Sequence, residues 1–171
     1  MQNGVFSDSG EYVHRGLELS SYGKLTGSLT VLGGLTWMHA TQENTGSAIY
    51  DGNYEVGVPK FQANLGTNWK LPLPQDISLN AQLTYTGSTY ASLDNNLKVK
   101  DWTTLDLGAS YRTQFGQTPT TFNFLINNVF DKDYWGSVGL YDNINNTSNT
   151  NNGYLVAGLP RTFMLSASFD F

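Results

Sequence analysis

Along "ISLNAQLTYT", residues 77–86, apolar and polar side chains alternate without a break. Ile77, Leu79, Ala81, Leu83 and Tyr85 fall on one side of an extended chain, and Ser78, Asn80, Gln82, Thr84 and Thr86 on the other. A period of two is the signature of a strand with one buried face. "WTTLDLGASYR" (102–112) repeats it with Leu105, Leu107, Ala109 and Tyr111, and the terminal run repeats it with Phe163, Leu165, Ala167, Phe169 and Phe171. Four further runs read the same way, at 11–23, 27–39, 59–71 and 119–129. The pattern predicts seven strands, and no run has a 3.6-residue period behind a capping residue.

Alternation alone fits both a soluble sandwich and a membrane barrel. Three features favour the barrel. The runs are about 9–13 residues long, enough to cross a bilayer at a tilt, where globular strands run to about 5–6. The connections alternate between short (24–27, 72–76, 114–118) and long (40–58, 89–101, 130–159), as between periplasmic turns and outer loops. Aromatic residues sit near the ends of the apolar rows: Trp37, Phe61, Trp69, Tyr85, Tyr111, Phe122, Phe169 and Phe171. They would form two interfacial girdles. The charges Glu18, Lys70, Asp106, Arg112 and Asp170 all take the polar face, as expected where a Lys or Arg facing lipid at mid-depth costs about 2–4 kcal/mol. These features predict an all-β, antiparallel transmembrane β-barrel segment whose long loops are extracellular.

Composition agrees. Charged residues are only 13% of the 171 and aromatics are also 13%, a poor recipe for a surface covered by water. A net charge of −5 with no run of Lys or Arg gives no footprint for nucleic acid. The absence of cysteine removes disulfides and thiolate metal sites. No apolar stretch is long enough for a spanning helix. "MQNGVFSDSG" is polar and acidic, unlike a signal peptide, so an outer-membrane location would imply a mature form or a fragment.

Chemical motifs are sparse. Asp131, Asp133, Gly136 and Asp142 share the spacing of a calcium loop, but Trp135 occupies a ligand position and no helices flank the loop. His14 and His39 have no recognisable catalytic partner set and are expected at the rim. No catalytic residue, metal site or cofactor is expected. "NINNTSNTNN" (143–152) reads as the tip of an outer loop.

Six stretches together resemble the C-terminal barrel portion of TonB-dependent outer-membrane receptors, in the ferric-siderophore branch. They are "GEYVHRGLELSS" (10–21), "VPKFQANLGTNWKLP" (58–72), "LTYTGSTY" (83–90), "WTTLDLGASYR" (102–112), "NFLINNVFDKDYW" (123–135) and "GLPRTFMLSASFDF" (158–171). Asn127, Phe130 and Tyr134 fit the family's ending to its penultimate strand. Pro160 and Arg161, with alternating residues up to Phe171, resemble its last strand and the terminal aromatic signal read by the barrel-assembly machinery.

The resemblance implies an arc of about seven strands from a 22-stranded barrel, spanning residues 10–171, with 1–9 an N-terminal loop or truncation edge. It implies a receptor in the bacterial outer membrane that binds and imports ferric siderophores. Energy would come from TonB through an N-terminal region that this sequence does not contain, so the segment alone is not expected to transport. Its partners would be membrane lipid, the ferric siderophore, TonB and the assembly machinery. Loop aromatics Trp135, Tyr141 and Tyr154 are candidate ligand contacts. The alternatives are a complete eight-stranded outer-membrane barrel with a structural or adhesive role and, further off, an outer-membrane enzyme.

Overall fold

Seven of the alternating runs join into one antiparallel sheet. The computed structural model describes residues 10–140 and 153–171. Among these residues the strands are β1 (Glu11–Lys24), β2 (Leu29–Glu43), β3 (Phe61–Lys70), β4 (Asp76–Thr86), β5 (Thr89–Tyr90), β6 (Lys98–Val99), β7 (Trp102–Phe115), β8 (Thr118–Asn127), β9 (Trp135–Leu140), β10 (Gly153–Ala157) and β11 (Thr162–Phe169). The main sheet has the order β1-β2-β3-β4-β7-β8-β11. Each strand pairs with the next of the seven along the chain, and β1 and β11 are the two edges. Residues 1–9 lie outside the described residues, so the expectation for them is untouched.

The register turns each alternating run into a continuous surface. On the apolar side Leu17 lies opposite Trp37, and Trp37 opposite Phe61. Leu65 lies between Gly33 and Leu83, and Leu83 opposite Leu105. Phe124 sits between Ala109 and Leu165. On the other side run Glu18, Thr36, Gln62, Thr86 and Trp102, and in a second row Gln82 with Asp106. Lys70 pairs with Asp76 at 3.0 Å across the β3–β4 turn. Arg15 has the parity of the apolar side but lies beside His39, beyond the Leu17–Trp37 level.

Among the described residues no compact interior forms beneath this sheet. Leu17, Leu19, Phe163 and Leu165 are 62–79% exposed, which is incompatible with a sandwich, where such rows would be sealed against a second layer. The buried apolar residues among those described are Ala40, Ala91 and Val99, all at the end of the sheet that carries the long connections.

Two expectations needed correction. β2 does not stop at His39 but runs on to Glu43, because Ala40, Thr41 and Gln42 are buried under the connection that follows. The long connections are not plain loops either: β5 and β6 pair within one of them, and β9 and β10 form a hairpin in the last.

Candidate functional site at the long-loop end

The β2–β3 connection, residues 44–60, folds back on its own strand. Gln42 donates its amide to the Asn53 carbonyl at 2.8 Å, Gly52 donates to Gln42 at 2.7 Å, and Glu55 donates to Ala40 at 3.0 Å. It then meets the β4–β7 connection, residues 87–101. Asn95, in the left-handed region at φ 57, accepts from the Tyr54 amide at 2.7 Å and donates to the Tyr54 carbonyl at 2.9 Å. Asn53 Nδ2 donates to the Leu93 carbonyl at 2.9 Å, and Gly57 donates to Tyr90 at 3.0 Å. Gly57 (φ 79) also lies so close to β9 that a Cβ there would run into the Val138 carbonyl oxygen. The three long connections therefore touch one another.

An aromatic cluster marks the junction. Tyr54 stacks on Tyr90 at 6.1 Å, takes the edge of His39 at 5.3 Å, and carries the Lys60 ammonium 3.6 Å above its ring. His14 pairs with Glu55, tying β1 to the same connection. In the loops the Asp51 carboxyl is held below the usual carboxylate range by hydrogen bonds from the Thr45 hydroxyl and amide. Asp94 is lowered likewise, chiefly by the Ser92 hydroxyl.

Replacing Asn95 by Ala removes both bonds to Tyr54, worth about 1–3 kcal/mol together. Amides of residues 53–57 are expected to exchange with deuterium about tenfold faster or more. Unchanged exchange would mean that the two connections hold their shapes separately.

The second structured feature is the stretch after β8. Asn128 is 3% exposed at φ 51. Its Nδ2 donates to the Lys132 carbonyl at 2.9 Å and to the Leu159 carbonyl at 3.0 Å, and its Oδ1 accepts from the Lys132 amide at 2.9 Å. Its own amide donates to Asp106 Oδ1 at 2.7 Å. Asp131, also left-handed, accepts from the Arg161 amide at 2.9 Å, and the Arg161 guanidinium reaches both the Asp131 carboxylate and the Val129 carbonyl. This stretch thus fastens the exit of β8 to the entry of β11.

Each predicted residue can now be placed. Asn127 ends β8 opposite Thr162. Phe130 is 74% exposed. Tyr134 packs its ring on Trp102 at 4.3 Å and against the Gly158 backbone. Pro160 and Trp135 line one cavity, Arg161 belongs to the fastening, and Phe171 is fully exposed with its ring 6.4 Å from Phe169. Tyr154 lies further along the hairpin, opposite Gly139, and does not line the cavity that Trp135 lines. Tyr141 lies outside the described residues. Sequence reasoning took Asn128 only as part of the motif stretch 127–134, with no role of its own, and missed Asn95; adjacent asparagines, as at 127–128 and 95–96, are a cue for left-handed backbone. Among the described residues no group of three or more His, Cys, Asp or Glu could hold a metal ion.

A sheet of long, uncovered antiparallel strands, apolar on one face and polar on the other, defines the class: the wall of an outer-membrane β-barrel. The comparisons carry this to a family. Residues 2–129 match the family described as "TonB dependent receptor-like, beta-barrel", and the chain belongs to it. The ferrichrome receptor FcuA of Yersinia enterocolitica is 32% identical over 98% of this chain. The catecholate siderophore receptor Fiu of Escherichia coli K12 is 28% identical over 99%. The chain spans 21% of the length of each. The crystal structure of BauA, the ferric preacinetobactin receptor of Acinetobacter baumannii, superposes with a TM-score of 0.77 at 34% identity, covering 95% of this chain and 23% of that one. The sheet is therefore an arc of a TonB-dependent receptor barrel, its place is the outer membrane, and its family consists of receptors rather than enzymes.

Proposed function

We propose that residues 10–171 form the C-terminal barrel segment of a receptor that binds ferric siderophores and imports them with energy from TonB. The observation that supports this reading is the convergence of three long connections at one end of the sheet, in a chain whose relatives are siderophore receptors. In this reading that end is extracellular and the short turns are periplasmic. The apolar face meets lipid and the polar face meets the lumen. Trp135 contacts the cargo from its cavity, with Tyr141 and Tyr154 as the further aromatic contacts. The last strand, with Pro160 and Arg161 at its entry and Phe171 at its end, carries the signal read by the assembly machinery, and Asn127, Phe130 and Tyr134 close the strand before it.

The test is iron uptake by cells that lack other siderophore receptors and express the full receptor carrying this segment. Uptake of at least one ferric siderophore is expected, and it should vanish when TonB is deleted. Iron uptake no greater than in empty cells for hydroxamate, catecholate and mixed chelates alike would defeat the proposal. The isolated segment in liposomes is expected to give no iron flux.

A further inference from the structure

A cavity of about 610 Å³ lies between the β4–β7 connection and the final hairpin. That volume suits a small-molecule ligand. Trp102 fixes the side on which it opens, because it lies opposite Thr86 and shares the polar face with Asp106. Tyr134 packs on Trp102 and also lines the cavity. The space therefore lies over the polar side of the wall, not the apolar one.

Lys98, Lys100 and Lys132 all line it. The chain has only nine Lys and Arg in all and a net charge of −5, so three in one cavity is a local reversal of sign. Asp101 and Asp133 line it too, leaving an excess of one positive charge (three minus two). Among the described residues none of the three ammonium groups has a carboxylate within ion-pair distance. Of the six other cations three are engaged, Lys60 on Tyr54, Lys70 on Asp76 and Arg161 on Asp131, while Arg15, Lys24 and Arg112 stand apart from the cavity. Unpaired like charges around one concavity repel each other and focus a positive potential into it. An anion relieves that repulsion. Ammonium groups on flexible stems also adapt to oxygens whose arrangement is not planar.

We propose that this cavity selects the cargo by charge: Lys98, Lys100 and Lys132 receive the anionic oxygens of a ferric chelate with net negative charge, in preference to a neutral chelate. The inference rests on the reading of the protein as a siderophore receptor and adds the chemical class of its ligand.

The test measures binding to the purified full receptor by quenching of tryptophan fluorescence. The probes are a trianionic ferric tris-catecholate and a neutral ferric tris-hydroxamate. The anionic chelate is expected to bind about tenfold more tightly or better, an advantage that shrinks as salt rises. Replacing the three lysines together (Lys98→Gln, Lys100→Gln, Lys132→Gln) should carry the ratio of affinities towards one. The matching triple Arg variant should keep it, which separates charge from misfolding. A ratio that favours the neutral chelate, or one the Gln variant leaves unchanged, overturns the charge selection while the receptor reading stands. Failure to bind either probe, joined to absence of uptake for every chelate, removes both.

Discussion

Asn128→Ala is expected to unfasten the final hairpin from the sheet. The side chain makes three hydrogen bonds, two to Lys132 and one to Leu159, from a position that is 3% exposed. At a net value of about 0.5–1.5 kcal/mol each, their loss costs about 1.5–4.5 kcal/mol. Alanine must also hold a left-handed backbone at φ 51, which adds about 1–2 kcal/mol. Deuterium exchange of the full receptor should therefore quicken by two orders of magnitude or more at residues 128–134 and 159–162. Exchange within β3 and β4, which share no bonds with Asn128, should stay as it was. Asn128→Gly divides the causes, since glycine accepts the backbone but makes no side-chain bonds. Should the glycine variant exchange like the parent, the backbone conformation and not the amide side chain would be the fastener.

The same residue shows what the sequence could and could not reveal. Alternation encodes which way a side chain faces, so the seven long strands were legible wherever two different media met across the sheet. Leu79, Leu83 and Leu107 needed no partner to be placed. That rule fails where a strand rises into packed loops. Ala40, Thr41 and Gln42 break the pattern because protein covers them, and β2 outran its expected end. The β9–β10 hairpin stayed hidden for a related reason: "WGSVGL" is interrupted by glycine, and "GYLVA" is apolar throughout after its first residue and does not alternate. Contacts between connections were illegible in principle. Asn95 meets Tyr54 across 41 positions, and Lys98 and Lys132 share a cavity only after the sheet has folded. The resemblance located the ends of the last two strands, yet it singled out Asn127 and Arg161 and not the buried Asn128 between the elements they terminate.

Leu83→Arg is the sharpest probe of the surroundings of the apolar face. Leu83 lies between Leu65 and Leu105 in the middle of the sheet, and the next residue back, Gln82, lies at the same depth on the opposite face between Gly66 and Asp106. If hydrocarbon covers the apolar face, an arginine at 83 costs about 2–4 kcal/mol. Gln82→Arg faces the lumen beside a carboxylate, and its cost should stay within about 0.5 kcal/mol. Denaturant titration of the full receptor from liposomes reads both values. Neighbouring positions have nearly the same strand propensity, depth and chain context, so a difference between the two variants reports the medium on each side and little else. Equal costs would mean that no lipid contrast exists across this sheet, and the barrel-wall orientation would be wrong. A large cost at 83 alone also explains why such long apolar rows stay uncovered by protein: the bilayer completes the burial that the chain leaves undone.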